Sequence, residues 1–440
     1  MFYYITNNLG ILISIYSIFC YETFKHVWLG SSLSTCITNI IRYATSQNIL
    51  FVKVIQALST EKSFPEVIRD VLKSNTHSVK YRDDELEPEL LNRIRNKYNI
   101  QLESDKPFHA GMVSVAYYGK IRLNEGDMVE KKIVIKILRK NIKKRIRDGS
   151  ENLTFIYRLL KLLFQFSYNP DLMSKLEMIK SVTNTTEYLV SQCDFDKEII
   201  AIRKSSEEMM EYPVCANIVI PVVYNLEEDI IGADFIILEY LDGKFPADID
   251  DVKERQKYLK LYLTYSFVQV FFFSYLHTDL HNGNIICLKD VDTGALKMGI
   301  IDFGMNIKVT KEVKKALMFF SEIIYSEVKV EEAKFHKHIN IFIQNKVDLS
   351  KYTANELRMV DDLLVTLLKD IKNGNLEESK INSRFKEIAN ILNISLVLNM
   401  DFVLILLSLS MTQCCINYLS NYDKTVAADN FKECYLEIME

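Results

Sequence analysis

Glycine and proline are scarce in this 440-residue chain, at 13 and 7 residues. That scarcity excludes collagen-like repeats and Pro/Gly-rich disorder. With 48% hydrophobic and 25% charged residues, the composition is that of a folded, largely helical protein. Charge of one sign is lacking too. The 54 basic residues nearly balance 58 acidic ones, for a formal charge of -4, which argues against whole-surface attraction to nucleic acid and leaves only local patches. The eight cysteines (Cys20, Cys36, Cys193, Cys215, Cys287, Cys414, Cys415, Cys434) include no CxxC pair and no histidine at zinc-finger spacing. Nothing in them supports a zinc site or a disulfide framework, and no signal-peptide pattern is present, so the chain reads as a reduced, intracellular protein. Internal repeats and low-complexity tracts are absent.

The first 21 residues carry no charge, and 9–21 are strongly apolar. This approaches the roughly 20 residues that cross a bilayer. Thr6, Asn7, Asn8, Ser14 and Ser17 dilute the stretch and no basic residue precedes it, while Tyr21 and Trp28 suit an interfacial helix. Two readings stand: contact with a membrane, or a buried N-terminal helix. The other apolar runs, 261–276 and 402–411, read as core helices.

A chain of this length has room for two packed lobes with extensions. Residues 1–105 read as helices with polar breaks, ending in a charged stretch, 80–106, that suits a linker. From Pro107 the texture changes. Small residues around Ala110 and Gly111, then the alternating run 132–138, predict a hairpin and a following strand. Residues 150–210 look helical, 218–224 and 234–240 look like strands, and from about 250 onward the pattern is helical except for the polar stretch 277–307. The fold class is α+β.

The sharpest chemical signal is His277-Thr278-Asp279-Leu280-His281-Asn282-Gly283-Asn284, followed downstream by Ile301-Asp302-Phe303-Gly304. Phosphoryl transfer from ATP develops charge that Mg2+ neutralises. Mg2+ takes hard oxygen ligands, typically one or two carboxylates beside the substrate phosphates. Asn284 and Asp302 supply such oxygens, and Asp279 can accept the proton of an attacking hydroxyl. Either motif alone arises by chance; both in this order, each after an apolar segment, argue for one site. Lys136, in Val134-Ile135-Lys136, resembles the strand lysine that bridges α- and β-phosphates, and Glu198 is the best carboxylate to hold it in place. A lone lysine on an amphipathic strand is usually only solvated; its position ahead of the other motifs gives it weight.

The GxGxxG loop of ordinary kinases is missing, and the Ala110-Gly111 segment stands where it would be. The sequence here resembles the UbiB/ADCK family of atypical kinases. Lys53-Val54-Ile55-Gln56 partly matches the family's KxGQ motif, and Leu58, Ser59 and Pro65 echo the family residues just beyond that motif. Residues 107–119 resemble its alanine-rich loop, Gln192-Cys193-Asp194 its ExD motif, and His277 to Asn284 its HxDxHxGN motif. Ile55 replaces the motif glycine and Gln192 the motif glutamate. The loop has Met112 and Val115 where the family places a hydroxyl residue and a glutamine.

The resemblance implies a two-lobed protein-kinase-like fold with an N-terminal helical extension and a mostly helical C-lobe: an apolar segment at 1–30, the extension at 31–105, an N-lobe at 106–243 and a C-lobe at 244–440. It implies ATP and Mg2+ as cofactors, with ATP hydrolysis or phosphoryl transfer as the activity. It also implies a link to isoprenoid lipid metabolism at membranes, so the acceptor is expected to be a lipid or small molecule, with a membrane surface as a further partner. His277 is expected to brace the loop, and the backbone of Glu239 to Leu241 to receive adenine. Lys53 is expected to meet Gln192, an ordinary contact in place of a charge-assisted one, giving a looser lid over the site.

Two rivals remain: a small-molecule phosphotransferase of the aminoglycoside or choline kinase type, and a nucleotide-binding scaffold without turnover. Among weaker features, the basic run 139–147 reads as a solvated helix face. His336 and His338, two apart, point to different helix faces, and Cys414-Cys415 reads as core.

Overall fold

The structure, a computed structural model, describes residues 2–59, 68, 71–72, 81–122, 130–164, 176, 179–180, 182–183, 186–290, 292–311, 313–315, 335–343, 346–372, 378–394 and 400–439. The chain forms two compact units, Met1–Asp196 with Tyr224–Glu239, and Lys197–Val223 with Tyr240–Glu440.

The first unit opens with α1 (Phe2–Leu29), α2 (Leu33–Gln47) and α3 (Phe51–Ser59). Gly30, at φ 70°, takes the left-handed conformation that ends α1, and the Ser32 hydroxyl starts α2 by accepting from the Thr35 amide. Among the described residues no helix is long and apolar enough to cross a membrane. Polar residues dilute α1, and Glu22 and Lys25 fall inside it. The reading of a buried helix fails, since Tyr16 is 66% exposed and Trp28 75%. The buried Asn48 ties the start of α3 to the long helix that carries Gly149 and Asn152. Its amide donates to Gly149 O at 2.9 Å and Asn152 Oδ1 at 3.1 Å, while its oxygen accepts from the Leu50 amide.

The expected charged linker is instead structured. It holds α4 (Pro88–Lys97), whose Leu91 and Ile94 are buried against the neighbouring sheet. The reason is apolar spacing three residues apart inside a charged segment, enough to anchor one helical face. The sheet comprises β1 (Gln101–Leu102), β2 (His109–Ala110), β3 (Ser114–Ile121), β4 (Lys131–Leu138) and, after an excursion, β6 (Phe235–Glu239). All of its pairs are antiparallel, in the order β1-β3-β4-β6 with β2 also on β3. Alternation sorts β4 cleanly: Ile133, Ile135 and Ile137 enter the core against α4, and Lys136 lies on the other face.

After β4 come α5 (Ile142–Phe164), α6 (Thr186–Ser191) and α7 (Phe195–Met209), the last continuing into the second unit. The basic run 139–147 is only partly solvated. Arg139 is buried with its guanidinium 2.8 Å from the Glu85 carboxylate, and Arg145 lies 3.0 Å from the same group. Lys140, Lys143, Lys144 and Arg147 are exposed.

In the second unit, β5 (Ile218–Val219) pairs in parallel with β9 (Leu296–Ile300), which pairs antiparallel with β8 (Ile285–Lys289). A separate ribbon joins β7 (Tyr275–His277) to β10 (Asn306–Lys308). The helices are α8 (Val252–Phe271), α9 (Ala354–Lys372), α10 (Glu378–Ile391), α11 (Met400–Leu419) and α12 (Lys424–Met439). α8 is buried along most of its length after Tyr258, and α9 and α10 share a core of Val360, Leu364, Ile381, Phe385 and Ile388. Cys415 is buried but Cys414 is exposed, correcting the expectation that both are core: neighbours on a helix point about 100° apart, so one inward-facing residue turns the next away. His336 binds Asp361 through its backbone amide at 2.6 Å and its ring Nδ1 at 2.8 Å; the His338 side chain lies outside the described residues.

Candidate functional site

Within the first unit, register places Lys136 between Ala116 of β3 and Ile236 of β6. Its ammonium lies 5.9 Å from the centroid of the buried Phe195 ring, a cation–π contact. Phe195 has no motif signature, and sequence reasoning missed it. Ala110 is buried in β2, and Gly111 makes the turn into β3, its amide donating to Ser114 O at 2.9 Å. That donor is therefore spent within the hairpin. The amides of Met112 and Val113, at the tip, make no hydrogen bond among the described residues. Glu239 ends β6 opposite Ile133. Lys53 and Gln192 form no hydrogen bond to each other, against expectation. Val54 and Ile55 are buried, and α3 is seated by those apolar neighbours; the Gln56 side chain and Pro65 lie outside the described residues.

The second unit gathers most of the motif residues. The hairpin register pairs Ile285 with Ile300, so Asn284 falls beside Ile301 and one residue from Asp302. The Asn284 carbonyl accepts from the Ile301 amide at 3.0 Å, and its side-chain amide donates to the Asp279 carbonyl at 2.8 Å. These bonds tie the two motifs together and leave the Asn284 side-chain oxygen as an acceptor. On the other side of the loop, Thr278 donates its backbone amide to Met305 O at 2.9 Å, so the segment after Asp302 runs along the HxDxH loop.

The buried His277 joins the same pieces. Its Nε2 lies 3.2 Å from Ile301 O, and its Nδ1 accepts from the Asp279 amide at 3.2 Å. Both bonds together require a neutral ring with the proton on Nε2. Burial favours that form, holding the imidazole below its ordinary value, while the nearby Asp279 and Asp302 carboxylates pull the other way.

Asp302 sits at φ 62°, in the left-handed region that a non-glycine residue occupies at a cost of order 1 kcal/mol. The buried Glu198, on α7, joins it. A Cβ on Gly304 would sit 3.4 Å from Asp302 Oδ1 and 3.4 Å from Glu198 Oε2, so both carboxylates crowd the glycine of the Asp-Phe-Gly turn. Leu241 packs against β9, where a Cβ on Gly299 would meet its Cδ1 at 2.5 Å. His281 is a further residue that the motif reading left without a role. Its Nδ1 accepts from the Gly283 amide at 2.9 Å and its Nε2 lies 3.7 Å from Asp279 Oδ2. The signal was in the HxDxH spacing, which sets it two residues beyond Asp279.

The donor set suits Mg2+. It offers hard oxygens from Asp302 and Asn284, and among the described residues no cluster of three or more His, Cys, Asp or Glu forms a dedicated metal cage. Mg2+ in phosphoryl-transfer sites asks for one or two carboxylates and takes its other ligands from phosphates and water.

An Asp-Phe-Gly turn docked on an HxDxHxGN loop, with a lysine strand in an antiparallel sheet, defines a protein-kinase-like protein of the atypical kind. The sequence pattern of the ABC1 atypical kinase-like domain matches residues 89–338, and the chain belongs to that family. Among curated proteins, it is 27% identical over 278 residues to a protein named probable protein kinase UbiB from Histophilus somni, covering 61% of this chain and 48% of that protein. It is 25% identical over 245 residues to the protein of the same name from Glaesserella parasuis, covering 54% of this chain and 42% of that one. The matches span about half the length of these relatives. A solved structure, the Rv3197–erythromycin complex from Mycobacterium tuberculosis, is similar at 14% identity and a TM-score of 0.39, covering 84% of this chain and 91% of that one.

Proposed function

We propose that this chain binds ATP with Mg2+ and transfers or hydrolyses the γ-phosphate. The observation that carries the reading is the gathering of His277, Asp279, Asn284 and Asp302 by the β8–β9 register and the Asn284 hydrogen bonds. In this reading Asn284 and Asp302 hold the metal, which neutralises charge on the phosphates, and Asp279 orients or deprotonates the acceptor. Neutral His277 fixes the loop from beneath. Lys136 meets the α- and β-phosphates, with Glu198 as its orienting carboxylate. The Ala110-Gly111 turn offers small residues to the phosphates, and the backbone from Glu239 to Leu241 receives the adenine. The Met112 and Val113 amides at the turn tip are the donors that the hairpin has not consumed.

For the acceptor we favour a lipid or other small molecule met at a membrane surface. The exposed apolar residues of α1, including Ile13, Tyr16, Phe19, Phe24 and Trp28, support an interfacial contact. The test is ATP hydrolysis by the purified chain, with and without anionic liposomes, beside Asp302→Asn. Removing a metal-binding carboxylate should lower turnover at least a hundredfold, about 2.7 kcal/mol of barrier. Equal rates for the two proteins exclude catalysis at this site.

A further inference from the structure

The HxDxHxGN loop is held from behind by side chains that belong to no kinase motif. The His277 amide donates to Gln269 Oε1 at 3.1 Å, and the His277 carbonyl accepts from the Ser408 hydroxyl at 3.3 Å. The Leu280 carbonyl accepts from the Tyr262 hydroxyl at 3.0 Å, and Asn282 Oδ1 accepts from the Cys415 thiol at 2.7 Å. These four bonds grasp the loop on either side of Asp279 in sequence. Gln269 and Tyr262 come from α8, which leads into the loop. Ser408 and Cys415 come from α11, more than 130 residues downstream of His277 and Asn282 respectively and beyond residue 338, where the match to the ABC1 domain ends.

The sequence of α11 makes the arrangement pointed. Apolar residues dominate the first half of the helix, and Ser408, Thr412 and Cys415 recur at four- and three-residue spacing, which sets these three small polar residues along one face. Ser408 and Cys415 are 3% and 2% exposed. Burial pushes the Cys415 thiol far above its ordinary value, so it stays a donor. A buried serine that merely quenched a nearby carbonyl would bond within its own helix; this one reaches the residue that carries both the Asp279 and the Ile301 contacts.

We propose that Ser408 and Cys415 are positioning residues: α11, outside the matched kinase-like domain, fixes the backbone from which the Asp279 carboxylate is presented. The proposal rests on the phosphoryl-transfer reading for its kinetic consequence but not for its structural one.

The test compares near-isosteric pairs in the full chain. Ser408→Val removes the hydroxyl and Ser408→Thr keeps it. A cavity of about 30 Å³ bordered by Ser266, Gln269, Ser408 and Thr412 leaves room beside Ser408 for the added carbon atoms. Cys415→Ala and Cys415→Ser form the second pair, for use if Ser408→Val does not fold. Two readouts are taken: ATP turnover, with binding of a fluorescent ATP analogue measured separately, and amide hydrogen exchange of the peptide spanning 277–284.

The expected result is a kcat about tenfold lower in Ser408→Val, with affinity for the analogue unchanged within about twofold, faster exchange of 277–284, and recovery of both in Ser408→Thr, the size set by one hydrogen bond. Unchanged exchange in Ser408→Val, or equal impairment of Val and Thr, overturns the proposal. If the unsubstituted protein shows no turnover at all while Ser408→Val still loosens 277–284, the brace stands and the phosphoryl-transfer reading falls.

Discussion

Replacing Glu85 by alanine should uncouple the end of the lysine strand from the rest of the first unit. Its carboxylate is nearly fully buried and receives Arg139 at 2.8 Å, Arg145 at 3.0 Å and Arg82 at 3.2 Å, while its backbone carbonyl accepts from the Lys140 amide at 2.8 Å. The three cations differ in what they lose. Arg82 is 55% exposed, and its share is small, below about 1 kcal/mol. Arg145, 23% exposed, can turn to water. Arg139, 1% exposed, cannot: burial already drives its guanidinium below the ordinary value, and the Glu85 charge is what opposes that. Removing one partner of a buried pair costs about 3–5 kcal/mol; with most of the loss on Arg139 alone, about 3 kcal/mol is expected.

For a unit of this size, that is a fall of roughly 6–12 °C in the midpoint of its thermal transition. The assay is calorimetry or a circular dichroism melt of the Glu85→Ala chain, with Glu85→Leu combined with Arg139→Met as the control. Replacing both charges with apolar groups should restore stability to within about 1 kcal/mol of the parent. A midpoint lowered by less than about 2 °C in the single variant, or a double variant no better than the single, refutes the argument. Because Arg139 follows β4 directly, the melt should be accompanied by faster hydrogen exchange in the strand that carries Lys136.

Other expectations are narrower. His277 is neutral and its folded value lies below the ordinary 6.5, so its contribution to stability is fully present above that pH and is lost as pH falls below it, where only the unfolded chain readily takes the proton. Urea midpoints measured at pH about 7.5 and about 5.5 should fall for the parent, and His277→Gln should fall less; parallel behaviour of the two would disprove it. Gly243→Ala would thrust a Cβ to 2.5 Å from Cys287 O, a backbone atom that cannot swing aside, costing about 1–3 kcal/mol; an unchanged melting midpoint contradicts this. Tyr98→Phe removes the hydroxyl that donates to Asp229 and accepts from the Leu226 amide at 2.9 Å, for about 1–3 kcal/mol by urea unfolding, and no loss would show that water satisfies those groups.

Much of the candidate site was legible in residue order. HxDxHxGN and Asp-Phe-Gly are short, chemically constrained strings, and the β-branched alternation around Lys136 announces its own strand. The same local physics marked 402–411 and most of 261–276 as helical, although the second run leaves the helix at Phe271 and enters β7 at Tyr275. Local patterns determine such elements because propensity, alternation and helical periodicity act between residues a few positions apart.

What the order of residues could not decide is which distant groups meet. Nothing near Glu85 announces Arg139, and the stripe of Ser408, Thr412 and Cys415 gives no hint that its partners are His277 and Asn282. The charged segment around α4 looked like a linker because its buried residues are outnumbered by charged ones, and only the sheet that Leu91 and Ile94 cover explains the helix. Composition tells that α1 is apolar but not whether anything covers it. Register, burial and long-range pairing are properties of the packed chain, since each depends on surfaces brought together only when loop-closure entropy has been overcome by the whole core.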